Sequence, residues 1–168
     1  MYLDSIDKVR AVEWSKSYLW DICFFGGNGY GPPPYPFDSW FPATEVQDLV
    51  CSVNTNEFSS PMRQFSVPVN SNLRRLKIDF IDDIYCTLEN YFVEWMDVQI
   101  LNNGKGVTPV EECLRSLLVY RLDASRKPVK GYLYSVFPAG ELPFNGRSDS
   151  QANEYALDFL VWTSKRVL

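Results

Sequence analysis

Period-two alternation of apolar and polar side chains recurs along this chain and commits it to a fold built on sheet. Leu76, Ile78 and Phe80 alternate with Arg75, Lys77 and Asp79, and Tyr155, Leu157, Phe159 and Val161 alternate with Glu154, Ala156 and Asp158. Phe65, Val67 and Val69 alternate with Gln64, Ser66 and Pro68, the proline marking an edge or a strand end. Leu49, Cys51 and Val53 share a face ahead of a polar tip, NTNEFSSP. Such spacing places one set of side chains on each face of a strand. Residues 18–25 (YLWDICFF) are apolar almost throughout, which predicts a strand covered on both faces. Residues 116–122 (SLLVYRL) and 130–137 (KGYLYSVF), joined by DASRKP, predict a β-hairpin.

One segment has helical spacing instead. Ile84, Leu88, Tyr91, Phe92 and Trp95 fall at offsets 0, 4, 7, 8 and 11, with Asn90, Glu94 and Asp97 on the opposite side. Asp82 and Asp83 stand at its start, where carboxylates cap exposed N–H groups and meet the positive end of the helix dipole. NNGKG punctuates its end. Leu88, Phe92 and Trp95 are the residues expected to pack this helix on the sheet. A shorter, weakly amphipathic helix over residues 4–16 reads as an arm.

Between the first two strands lies GGNGYGPPPYPFDSWFPA. Its density of glycine and proline excludes helix and central strand. It is also rich in rings: Tyr30, Tyr35, Phe37, Trp40 and Phe41. Linkers are usually polar and small, so this loop is expected to pack on something, either a partner or its own domain. These five residues, with Asn56 and Phe58 in the polar tip, are the candidate subunit or ring interface.

The expected class is therefore α+β, mainly β: a small antiparallel β-barrel or sandwich with one flanking α-helix and an N-terminal helical arm. The 168 residues form a single domain, with residues 1–17 as the arm and residues 26–42 as a Gly/Pro/aromatic loop insertion. Of the residues, 46% are hydrophobic and 15% aromatic, enough for a substantial core. No apolar run approaches the ~18–20 residues of a membrane helix, and MYLDSIDKVR lacks a signal-peptide core, predicting a soluble protein made in a cytoplasm.

The chemistry of catalysis is thinly represented. The chain has no histidine, which removes the commonest general base, the commonest metal ligand and every Ser-His or Cys-His pair. Cys23, Cys51, Cys86 and Cys113 are scattered among apolar neighbours and read as buried, inert thiols, so no metal site is expected. GGNGYG is followed by three prolines rather than a helix and lacks the N-terminus a phosphate cradle needs. No catalytic residue, metal or cofactor is expected, and the chain reads as a non-enzyme. Its net charge of −5 disfavours specific nucleic-acid binding. The charge is uneven: residues 1–60 carry 3 basic and 8 acidic side chains, residues 101–168 carry 9 and 7. Such a gradient suits attraction between unlike faces of neighbouring subunits.

The order of elements and several local strings resemble the tail tube proteins of contractile-tailed phages. Tyr91-Phe92-Val93-Glu94-Trp95 resembles the F-V-x-W string in that family's single helix. Residues 131–142 (GYLYSVFPAGEL) resemble its strand, aromatic-Pro pair and E-L turn, and residues 153–162 (NEYALDFLVW) its final alternating strand. Residues 73–82, a strand ending in acidic side chains ahead of the helix, fall in the matching place. The likeness covers residues 18–25 and 42–166. It implies a virion protein forming hexameric rings that stack into the inner tube through which phage DNA is ejected. It further implies sheath and baseplate partners, a tape measure protein in the lumen, no membrane, and assembly in the host bacterial cytoplasm. The insertion at residues 26–41 departs from the simple tube pattern and is similar to baseplate tube-initiating proteins of the same fold. A monomeric β-barrel with the aromatic loop lidding a small apolar ligand is the reading from a different class.

Overall fold

The computed structural model describes residues 19–49, 53–70, 74–143 and 153–168. The expected N-terminal arm lies outside them. Six strands form one antiparallel sheet: β1 (Trp20–Gly26), β2 (Ala43–Asp48), β5 (Arg74–Ile81), β6 (Arg115–Leu122), β7 (Pro128–Ala139) and β8 (Glu154–Arg166), in the order β1-β6-β7-β8-β5-β2. Strands β3 (Asn54–Ser60) and β4 (Arg63–Asn70) form a separate two-stranded hairpin. The six-stranded sheet curls into an antiparallel half-barrel.

The alternating segments sort as their period requires. Leu76, Ile78 and Phe80 of β5 and Tyr155, Leu157, Phe159 and Val161 of β8 are buried on one face, joined in register by pairs such as Leu76 with Phe159. Helix α1 (Thr87–Val93) covers that face and continues to Ile100 in wider turns, as in the 3.0 Å bond from Leu101 N–H to the Met96 carbonyl. Phe24, Phe80, Phe92, Trp95 and Phe159 form a ring cluster with centroids 5.2 to 6.4 Å apart, mostly edge-on or tilted as aromatic quadrupoles prefer. The strands 115–122 and 128–139 pair as the expected hairpin, closed by a turn in which Asp123 accepts the Lys127 N–H at 2.8 Å.

Expectations for the helix start, the polar tip and the first strand are corrected. The helix starts at Thr87, not at Ile84, which is 88% exposed. Asp82 and Asp83 cap from farther back: the Asp83 carboxylate accepts the Thr87 N–H at 2.9 Å, and Asp82 accepts those of Leu88 and Glu89 at 3.0 and 2.8 Å. A left-handed Cys86 makes the corner between them and the helix. Strand β2 ends ahead of the segment expected as a strand at Leu49–Val53, of which residues 50–52, with Cys51, lie outside the described residues. The polar tip NTNEFSSP is mostly strand β3. Strand β1 is an edge covered on one face only, Ile22 and Phe24 inward and Asp21 and Phe25 outward. A second short helix, α2 (Val110–Cys113), was not foreseen.

Candidate assembly surface

The glycine- and proline-rich loop is built onto its own domain. Gly26 turns at φ +80°, and a Cβ there would lie 2.2 Å from the Tyr30 carbonyl, so this turn takes only glycine. Phe37 and Phe41 enter the core with 7% and 4% exposure, Phe41 resting 4.9 Å from Phe24 and 5.2 Å from Phe80. The Tyr91 hydroxyl donates to the Gly31 carbonyl at 3.3 Å. Two of the interface candidates thus serve first as anchors of the loop on its own subunit. Trp40, half exposed and stacked edge-on against Phe37 at 5.6 Å, and Tyr35, 85% exposed, are left outward.

Tyr30 covers a residue that sequence reading passed over. Arg115 is 1% exposed, and its guanidinium lies 4.8, 4.6 and 4.6 Å from the rings of Tyr30, Tyr91 and Trp95. Its Nε donates to Gln99 Oε1 at 3.0 Å, Gln99 donates onward to the Glu112 carbonyl at 2.7 Å, and Trp95 Nε1 donates to the Cys113 carbonyl at 2.8 Å. Delocalised charge over aromatic faces is how a guanidinium tolerates burial without a carboxylate. The signal was there: Arg115 shares the alternating face of Leu117 and Val119. Leu88, Phe92 and Trp95 themselves are fully buried.

The hairpin β3–β4 is the opposite case. Every residue of β4 is exposed, including Phe65, Val67 and Val69. Phe58 stacks on Phe65 across the strands at 5.7 Å, and both rings stay about half exposed. Asn56 is likewise exposed, paired with Val67. A lone two-stranded hairpin is marginal in water, and alternating apolar side chains on it suit a surface that another chain covers. Its root is fixed. Arg74 donates to the Leu49 carbonyl and to the Tyr134 hydroxyl, each at 3.2 Å, and lies over the rings of Tyr132 and Tyr134 at 5.4 and 5.1 Å. Tyr134 in turn donates to Asp48 at 2.7 Å, and burial followed by this bond raises its phenol well above the ordinary value.

Cys23, Cys86 and Cys113 are free thiols, each pushed up from its ordinary value chiefly by burial, which keeps them protonated and weakly nucleophilic. Among the described cysteines only Cys113 is fully buried, so the expectation of wholly buried cysteines is corrected for Cys23 and Cys86. Among the described residues no cluster of three or more His, Cys, Asp or Glu is placed to hold a metal, and no helix is long and apolar enough to cross a membrane.

Neither protein-family models nor curated protein sequences match this chain. Solved structures do. A chain in the structure of the anti-feeding prophage cap, the tube-terminating cap, matches at a TM-score of 0.62 and 14% identity over 93% of both chains. A chain in the extended sheath–tube complex of the extracellular contractile injection system PVC matches at 0.60 and 11% identity over 95% of both. A chain in the anti-feeding prophage baseplate matches at 0.59 and 13% identity, over 93% of this chain and 97% of that one. The class of fold is thus that of chains from contractile injection systems. In particular, it is shared with chains from the tube-bearing parts of those particles, in agreement with the resemblance to contractile tail tube proteins.

Proposed function

We propose that this chain is a structural subunit of a contractile tail tube, forming six-membered rings that stack into a conduit for phage DNA. The observation that carries the reading is the bare hairpin: Phe58, Phe65, Val67 and Val69 stand exposed on strands that no described residue of their own subunit covers. The match over nearly the whole chain to proteins of tube, cap and baseplate structures supports it. Tyr30, Tyr35, Phe37, Trp40, Phe41, Asn56 and Phe58 remain the proposed contact region, with Tyr35, Trp40, Asn56 and Phe58 as the groups that touch a neighbour and Tyr30, Phe37 and Phe41 as their support. Sheath, baseplate and tape measure proteins are the further partners, in the tail of a virion or tail-like particle assembled in the bacterial cytoplasm. The net charge of −5 suits a conduit that DNA passes without binding.

A baseplate ring that initiates the tube is the second reading, supported by the match to the baseplate chain and by the loop insertion. A small-ligand barrel is disfavoured because Phe24, Phe41, Phe92, Trp95 and Phe159 are packed together in one buried core. Negative-stain electron microscopy with sedimentation on the same sample tests the proposal. Rings or stacked tubes are the expected result. A monomer that also fails to join rings when mixed with sheared tail or baseplate material overturns it.

A further inference from the structure

The strand register collects opposite charges at the two ends of the sheet. At one end β6 runs out into the turn to β7, and Arg121 stands opposite Lys130. Arg126 and Lys127 occupy that turn, and β8 ends beside it with Lys165 opposite Leu133 and Arg166 opposite Tyr132. Asp123 is the carboxylate in the turn and is engaged by the Lys127 N–H, while Asp48 is held by Tyr134. Asp21, on β1 opposite Tyr120, accepts the Ile22 N–H. The Tyr132 phenol is held below its ordinary value, chiefly by a hydrogen bond from Lys130, which lies 5.1 Å from its ring.

At the other end β8 begins with Glu154 opposite Ile81, and Asp82 and Asp83 follow Ile81 directly. Glu89 is tied there through the Tyr155 hydroxyl at 2.8 Å. Glu141 leaves the far end of β7, and Glu111 and Glu112 lie in α2, just ahead of Arg115 at the start of β6. Among the described residues two cations belong to this region: Lys105, exposed beyond the helix, and Arg115, buried in its cage. Among the described residues Lys77 and Asp79, 3.8 Å apart, form the single ion pair, and both lie in the middle of β5. Among the described residues neither end is neutralised by ion pairs. Strand β7 has 12 residues, roughly 40 Å at ~3.3 Å per residue. The ends are therefore separated by several times the ~8 Å Debye length at physiological salt.

We infer that copies of this chain meet head to tail, the basic end around Arg121, Lys127 and Lys165 seated against the acidic end around Glu111, Glu141 and Glu154 of the next copy. The inference rests on the self-assembling reading above and adds the surface, its chemistry and its polarity. Like ends repel, so the charges select the heterologous contact that propagates, and they speed encounter between copies that each carry net charge −5. The hairpin adds apolar adhesion at the basic end, since β2 and β5 flank it where Arg74 stands.

The test is a charge swap followed by sedimentation velocity at about 50 mM salt. One variant carries Arg121→Glu, Lys127→Glu and Lys165→Glu; the other carries Glu111→Lys, Glu141→Lys and Glu154→Lys. All six positions are exposed. Each variant alone is expected to keep the wild-type melting curve and to assemble at least about tenfold more weakly. An equimolar mixture is expected to assemble again, because the two reversed ends complement one another and the two native ends still fit. Should a triple variant fail to fold, Lys127→Glu and Glu141→Lys replace the two sets. Wild-type assembly with unimpaired variants, or impaired variants that the mixture does not restore, overturns the head-to-tail contact alone. A wild-type chain that stays monomeric here and beside sheared tail material overturns the self-assembling reading, and this contact with it.

Discussion

The Arg115 guanidinium lies 4.6 Å from the Trp95 ring centroid, inside the core and with no carboxylate paired to it among the described residues. A cation is placed there by geometry. β6 brings Arg115 onto the face that carries Leu117 and Val119, α1 lays Tyr91 and Trp95 over it, and the glycine turn closes Tyr30 on top. The cage therefore joins three parts of the chain distant in sequence. Arg115→Lys keeps the charge but loses the planar stack and the Gln99 bond. It should lower stability by about 2–4 kcal/mol in urea unfolding. A loss under about 0.5 kcal/mol would show that the cage does not hold the loop to the core.

Trp95 carries the centre of the same cluster, fully buried, with its N–H on the Cys113 carbonyl. Trp95→Ala removes the largest side chain of the core and orphans that carbonyl, so the expected cost is about 3–5 kcal/mol. Trp95→Phe should recover part of it, since the ring contacts persist and only the hydrogen bond and some volume are lost. Thermal and urea unfolding of both variants measure the difference.

The Asp83 capping carboxylate gives stability a pH dependence with a definite sign. Asp83 is held below its ordinary value of 3.8, first by the Thr87 backbone N–H. A carboxylate whose folded pKa is depressed contributes fully above the unfolded value and loses that contribution as pH falls through the lower folded one. The melting temperature should therefore decline as pH drops below 3.8, and Asp83→Asn should show a shallower decline while starting lower at neutral pH. Equal slopes for the two proteins would remove Asp83 from the account of acid sensitivity.

How far the fold could be read from sequence depended on what each strand packs against. β5 and β8 were legible because alternation and burial agree: Leu76 and Phe159 pair inside the core. β4 alternates just as cleanly, with Phe65, Val67 and Val69 on one face, yet no described residue of its own subunit covers them. A period of two reports a face, not its occupant. β3 was missed because Asn54, Thr55 and Asn56 lead it, asparagine being depleted in strands, and cross-strand pairing with β4 overrides that preference. The helix start was misplaced because Ile84 fits the spacing, while the Asp82 and Asp83 carboxylates fix the first turn three residues later. Within the loop, Phe37 and Phe41 could not be separated from Tyr35 and Trp40 by composition. What divides them is the position of Phe24 and Phe80 on strands far along the chain.

Trp40 is the loop ring best placed to serve a neighbour. It leans on Phe37, which fixes its orientation, and about half of its surface stays open. Trp40→Ala should leave the melting curve nearly unchanged and raise the protein concentration needed for assembly by about fivefold or more, as for a truncated aromatic anchor. Unchanged assembly would confine the loop to its own subunit.

The hairpin makes the sharper demand. Phe58 and Phe65 hold one another across β3 and β4 and line, with Glu57, Ser59, Gln64 and Ser66, a concavity of about 350 Å³. Because neither ring enters the core, Phe58→Ser with Phe65→Ser should leave global stability within about 1 kcal/mol. The same pair is expected to weaken ring or tube formation by tenfold or more, because apolar anchors at a contact centre dominate its energy. Sedimentation separates the two effects when run beside a thermal melt of the same sample. A folded double variant that assembles as the wild type does would deny the hairpin any part in the contact. A variant that loses assembly while keeping the wild-type melt would place these two rings between subunits.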